Sequence, residues 1–173
     1  FSKTENLLVG APLCGGRSYA LLKSFFEKTL DCFGVTADNI YSVMDKMAAD
    51  DTDNCSLSVD TRFCGTRYEP EIKGAVLQIT EDNFTPQQLT RGFLTGMCRE
   101  LYSFYEEMEK VTGIKRMHLV GSGNGVRKNK ILQHYLELTF KMPLSIPENT
   151  EEAAFGAALF AKKLLLSNRR KTA

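Results

Sequence analysis

Apolar and polar residues recur along this chain with two periods, one of strands and one of helices. Leu7–Leu13 (LLVGAPL) is a continuous apolar run that predicts a buried strand, with Pro12 near its end. Cys14-Gly15-Gly16 reads as a turn, and from about Arg17 the period becomes helical. Tyr19, Leu22, Phe25, Phe26, Leu30 and Phe33 share one face, while Lys23, Glu27, Lys28 and Asp31 share the other. Gly34 ends that helix. Thr36 is a suitable N-cap for a second helix, striped by Ile40, Val43, Met44 and Met47. Asp50–Asn54 breaks the pattern. It lacks the Gly and the closing Glu of a calcium loop and reads as solvated.

Leu57–Val59 and Gly74–Thr80 predict two further strands, separated by an irregular loop at Thr61–Pro70. Within that loop Arg62 and Arg67 suit surface ion pairs. Thr85-Pro86-Gln87-Gln88 then carries a cap, an N1 proline and a capping-box glutamine. The helix so opened runs to about Thr112, with Gly113 as its C-cap and a length of ~40 Å. Its expected buried stripe is Leu89, Phe93, Met97, Leu101, Phe104, Tyr105 and Met108. Gly92 and Gly96 give it a thin face open to close approach.

Arg116–Asn129 (RMHLVGSGNGVRKN) is the centre of the pattern. A short strand with Met117, Leu119 and Val120 runs into a turn with Gly121, Gly123 and Gly125, and a helix begins near Arg127–Asn129. On that helix Ile131, Leu132, Tyr135 and Leu138 should face the core, and Lys130, Gln133, His134 and Glu137 solvent. Leu144–Ile146, between two prolines, is a last short strand. Asn149 with Glu152 should cap a last helix bearing a small-residue face at Gly156, Ala157 and Ala158. The order is β, α, α, β, β, long α, β, α, β, α: an α/β layer fold whose two late strands lie parallel.

Glycines after a strand let a ligand approach bare main chain, and the amides that follow favour an anion or a polar edge. The same turn also suits a tight bend that binds nothing. The spacing is G-x-G-x-G, not the dinucleotide G-x-G-x-x-G, and no P-loop lysine follows. A dinucleotide site would need an acidic residue after the next strand, where Glu148 stands.

Bulk properties narrow the choices. The 173 residues make one ordinary domain, or one with an insertion, and start at Phe1 as a piece of a longer chain would. Apolar content of 43% is a globular value, and a net charge of +1 points to neither nucleic acid nor an acidic membrane surface. No apolar run approaches the ~20 residues of a membrane span. Five cysteines without C-x-x-C spacing suit free thiols in a reducing, cytoplasmic setting. His118 and His134 are the only histidines, which leaves little for a metal centre or a Cys–His nucleophile.

Three stretches together resemble one family. Gly121–Gln133 (GSGNGVRKNKILQ), Phe140–Pro147 (FKMPLSIP) and Glu151–Ala161 (EEAAFGAALFA) are similar to the C-terminal domain of the FGGY carbohydrate kinases. Phe63–Arg67 (FCGTR) with Pro70 and Gly74 resembles that family's F-x-G-x-R…P…G stretch, and Leu13–Gly16 its cleft helix. The L-C-G-G-R, V-G-S-G and A-A-x-G-A-A runs look most like members that act on a heptulose.

The resemblance implies a ribonuclease H-like, actin-like ATPase domain: a mixed sheet flanked by helices, with a helical insertion. It implies transfer of the ATP γ-phosphoryl group to a sugar hydroxyl, with Mg²⁺, by two domains. The general base Asp, most sugar contacts and the metal ligands would belong to an N-terminal domain outside this chain. Here Gly123 and Asn124 would lie along adenine, Asn129 would reach the base or ribose, Gly121 and Ser122 would shape the turn, and Gly16 would face them across the slot. The segment from Gly123 to Gln133 is longer than in many family members, which shifts the register of Asn129. A non-catalytic relative, using the same fold for binding or assembly, fits the same residues.

Overall fold

The computed structural model describes residues 7–49 and 56–169, the last six of these as backbone only. The Asp50–Asn54 loop, Cys55 and the basic tail beyond Arg169 lie outside them. Six helices and four short strands follow in the order α1 (Gly16–Cys32), α2 (Ile40–Ala49), β1 (Ser58–Asp60), β2 (Ala75–Leu77), α3 (Pro86–Thr112), β3 (Leu119–Val120), α4 (Asn124–Lys128), α5 (Lys130–Phe140), β4 (Leu144–Ser145) and α6 (Glu152–Arg169).

Helix α3 is the axis of the core. Thr85 Oγ1 accepts from the Gln88 amide at 3.2 Å, Pro86 fills the first turn, and Gly113 closes the helix at φ +65°. Its N-terminal half is buried through Phe93, Leu94, Met97 and Cys98. Around it pack Tyr19 and Leu22 of α1, Ile40, Met44 and Ala48 of α2, and Tyr135, Leu136 and Phe140 of α5. The thin face is used inside the chain, because β1 crosses it. A Cβ on Gly92 would stand 2.8 Å from Val59 Cγ2, and one on Gly96 only 2.2 Å from the Val59 carbonyl oxygen.

The strands form two pairs. β1 and β2 are antiparallel, with Val59 opposite Val76. β3 and β4 are parallel, with Leu119 opposite Leu144, as the two late β–α units require. The F-x-G-x-R…P…G stretch packs upon itself between β1 and β2. Gly65 sits at φ +70° against Pro70, Gly74 lies under the Phe63 ring, and Phe63 stacks on Phe93 with centroids 5.5 Å apart. Arg62 forms the expected ion pair, a two-pronged one with Asp60, which holds that carboxyl below its ordinary range.

Several expectations are corrected. Leu7–Leu13 is not a strand: Leu7, Leu8 and Val9 are exposed, and Gly10 is pressed on Phe104 instead of on a neighbouring strand. Helix α2 begins at Ile40, four residues after Thr36. Asn39, at φ +57°, turns the chain, and its carbonyl accepts from the Ser42 amide. On α1 only Tyr19 and Leu22 of the six apolar residues are buried, and Phe33 is exposed. On α5 the buried residues are Tyr135, Leu136 and Phe140, while Leu138 is exposed. Helix α6 starts at Glu152, three residues past the expected Asn149 cap, and positions 153–163 are exposed along its length. Nothing lies within 4 Å of a Cβ placed on Gly156.

Candidate functional site

The glycine turn follows β3 directly. Gly121 is buried there, its amide donating to the Ser145 carbonyl at 2.9 Å. A Cβ on it would meet Val126, Ile146 and Leu144 at 2.8–3.1 Å, so this glycine is required by packing. Gly123 is required by conformation, at φ +86° and ψ 157°, and a Cβ on it would meet nothing within 4 Å. Ser122, Asn124 and Gly125 are exposed as well. The bend is therefore open: its own neighbours fill it only at Gly121.

The expected helix is α5, which opens at Lys130 with Asn129 as its N-cap. A short helix that the sequence did not announce precedes it: α4 starts at Asn124, ends after five residues, and gives way at Asn129 to extended backbone. Gln133, expected in solvent, closes that break by donating Nε2 to the Val126 carbonyl at 2.7 Å. Arg127 fastens the short helix from the other side. Its guanidinium donates to the carbonyls of Pro147 and Asn149, each at 2.7 Å, and pairs with Glu152. The Glu152 carboxyl is held below its ordinary value, first by its own backbone amide at the start of α6 and then by Arg127. Turn, β4–α6 connection and α6 entry are thus one fastened unit.

Asn129 has much of its side chain committed. Oδ1 caps α5 by accepting from the Leu132 amide at 2.7 Å, and Nδ2 donates to Asp45 Oδ1 at 2.9 Å. The same Asp45 oxygen accepts from the Tyr19 hydroxyl at 3.0 Å. Burial, and then the Asp45 carboxylate, push the Tyr19 phenol far above its ordinary value, so it stays a donor. This relay ties the first turn of α1, which starts at Gly16, to the start of α5, just past the glycine turn. It links the two banks that the sequence assigned to one slot. Gly16 is exposed, with nothing within 4 Å of a Cβ placed on it.

Asp45, Tyr19 and Arg127 were not among the sequence-based site residues. Tyr19 read as core and Arg127 as a helix start, and Asp45 drew no reading, because its partners Tyr19 and Asn129 lie far from it in sequence. A separate open cleft of about 240 Å³ lies elsewhere, between the 9–13 segment, the 65–68 loop and Phe104. It includes none of the residues of the glycine turn. Among the described residues no group of three or more His, Cys, Asp or Glu side chains stands together as a metal site, and no helix is long and apolar enough to cross a membrane.

Comparison with known proteins bears on this geometry. The model of the C-terminal domain of the FGGY family of carbohydrate kinases matches residues 6–164. The chain is 27% identical over 164 residues to sedoheptulokinase of Mus musculus, covering 93% of this chain and 34% of that protein. It therefore spans about a third of the length of that curated relative. Among solved structures it is similar to the glycerol kinase of Plasmodium falciparum determined with ADP, at TM-score 0.64 and 17% identity, over 84% of this chain and 27% of that one. It is also similar to the xylulose kinase of Bifidobacterium adolescentis, at TM-score 0.61 and 19% identity, over 78% and 25% of the two chains. The fold is that of the ribonuclease H-like, actin-like ATPase class, with its strands here in two pairs.

Proposed function

The chain belongs to the FGGY family of carbohydrate kinases, and from that premise we propose that it is the nucleotide-binding C-terminal domain of a sugar kinase. The observation that carries this reading is the open bend at Gly123, with positive φ and empty space where a side chain would be. A flat purine needs such bare main chain on one face. In this reading Gly123 and Asn124 lie along adenine, Gly121 and Ser122 set the shape of the turn, and Gly16 forms the opposite bank. Asn129 Oδ1 retains one lone pair beyond its bond to the Leu132 amide, enough to accept from one polar edge of base or ribose. Its main contribution is to hold the two banks in register.

ATP supplies the phosphoryl group. Phosphoryl transfer demands positioning and charge stabilisation more than covalent chemistry. The residues of this chain orient the nucleotide and shield its base from water. The general base and most sugar contacts are assigned to the N-terminal two-thirds that the relatives possess. Mg²⁺ is expected with the nucleotide, its protein ligands belonging to the N-terminal domain. Glu148 is exposed beyond β4, and family membership replaces the dinucleotide reading. For the substrate the likeness to sedoheptulokinase favours sedoheptulose.

Titration of ADP into the Gly123→Val variant tests the site. A side chain there meets the purine face, so the dissociation constant should rise about tenfold or more, a loss of ~1.4 kcal/mol or more. Thermal melts of the same samples separate this from the strain of a branched residue at positive φ. An unchanged titration in a folded variant removes the assigned site.

A further inference from the structure

Cys14 and Cys64 lie 50 residues apart in sequence, yet their sulfurs are 3.4 Å apart, within hydrogen-bonding contact of each other. A disulfide bond is ~2.05 Å long, so a closure of roughly 1.4 Å would join them. Both sit on well-held backbone. Cys14 precedes the Gly15 turn, and its carbonyl accepts from the Arg17 amide at 2.8 Å. Ser18, one turn into α1, donates to the buried Thr61 carbonyl and fastens the helix to the loop that carries Cys64. Phe63, on one side of Cys64, stacks on Phe93, and Gly65, on the other, is lodged against Pro70. The other described cysteines are placed differently, Cys32 at the far end of α1 and Cys98 on the buried face of α3.

We propose that Cys14 and Cys64 form a reversible disulfide site, closed by hydrogen peroxide and reopened by small thiols. The two partners have unequal access, since Cys64 is exposed and Cys14 is buried. That inequality sets the order of events. Cys64 sheds its proton and the thiolate attacks a peroxide oxygen: an S–O bond forms, the O–O bond breaks, and the departing hydroxide takes up that proton, which leaves a sulfenic acid and water. The Cys14 sulfur, having released its proton, then attacks the Cys64 sulfur. The S–S bond forms, the S–O bond breaks, and the departing hydroxide takes that proton as water. In all, two thiols and one peroxide give one disulfide and two waters. The hydrogen bond to Cys14 raises the Cys64 pKa, with Arg17 and Lys73 pulling the other way, so Cys64 is not an activated nucleophile and closure needs peroxide in excess. The bond would pin the head of α1 to the 61–74 loop beside the open cleft. The inference stands apart from the nucleotide site and holds or fails without it.

The experiment exposes the native protein to excess hydrogen peroxide, blocks remaining thiols with an alkylating reagent, and maps peptides by mass spectrometry. The expected result is a Cys14–Cys64 linked peptide, lighter by two hydrogens than the reduced pair and lost on treatment with dithiothreitol. In Cys14→Ser, dimedone should capture a sulfenic acid at Cys64; in Cys64→Ser, peroxide should leave Cys14 unmodified. The wild-type map depends on neither variant folding. Wild-type protein whose Cys64 accumulates as a dimedone adduct, links to Cys32, Cys55 or Cys98, or stays a free thiol overturns the proposal.

Discussion

Gly92 and Gly96 are both small because the Val59 backbone and side chain occupy the space where their side chains would be. The sequence showed a thin face on the long helix. It could not name the occupant, because a contact between residues more than thirty positions apart leaves no local trace. Gly121 and Gly123 divide in the same way. Both read as turn glycines, yet one is excluded from bearing a side chain by packing and the other by φ. Two positions away from Gly96, Cys98 is buried in the core, and burial pushes its thiol up to about 12. In the unfolded chain that thiol ionises near its ordinary value of 9.0. Above that pH the unfolded state binds fewer protons than the native one, so this group's contribution to stability is complete below pH 9 and is lost as pH rises towards 12. At most one proton is involved, a slope of ~1.4 kcal/mol per pH unit. Urea midpoints measured on either side of pH 9 should fall with pH for wild type and fall less for Cys98→Ala. Equal slopes would contradict the burial of this thiol.

Element boundaries were legible where capping chemistry is local. Thr85, Pro86 and Gly113 fix both ends of α3 by bonds within a few residues, and those ends stand as expected. The misplaced boundaries were set by residues that the pattern does not single out. Thr36 is a good cap by type, but Asn39 makes the turn that aims Ile40 and Met44 at the core. The break between α4 and α5 was missed because Asn129 and Gln133 look like ordinary helical residues until their partners, Asp45 and the Val126 carbonyl, are in place. The parallel pairing of β3 with β4 was legible from chain order alone. Asn129→Ala should remove the α5 cap, at about 1 kcal/mol, together with a donor to Asp45. Chemical denaturation should show a loss of ~1–2 kcal/mol. A variant as stable as wild type would mean that the cap and the relay contribute nothing.

Over the whole molecule, class and family were legible through motifs whose residues the structure brings together. Phe63, Gly65, Pro70 and Gly74 form one packed loop, and the glycine turn ends the parallel pair. The sequence also implied that helix α6 packs closely on something, and within the described residues that face is bare. With a third of the length of the curated relative, the proposed division of labour predicts that the isolated 173-residue chain transfers no phosphoryl group. A coupled assay for ADP release with sedoheptulose and ATP checks this, and turnover above the protein-free blank contradicts it. One carboxylate oxygen of Asp45 serves Tyr19 and Asn129 together. The head of α1 and the start of α5 therefore cannot slide apart without breaking a shared clasp, so a guest lodged between them, as proposed, must tug on both.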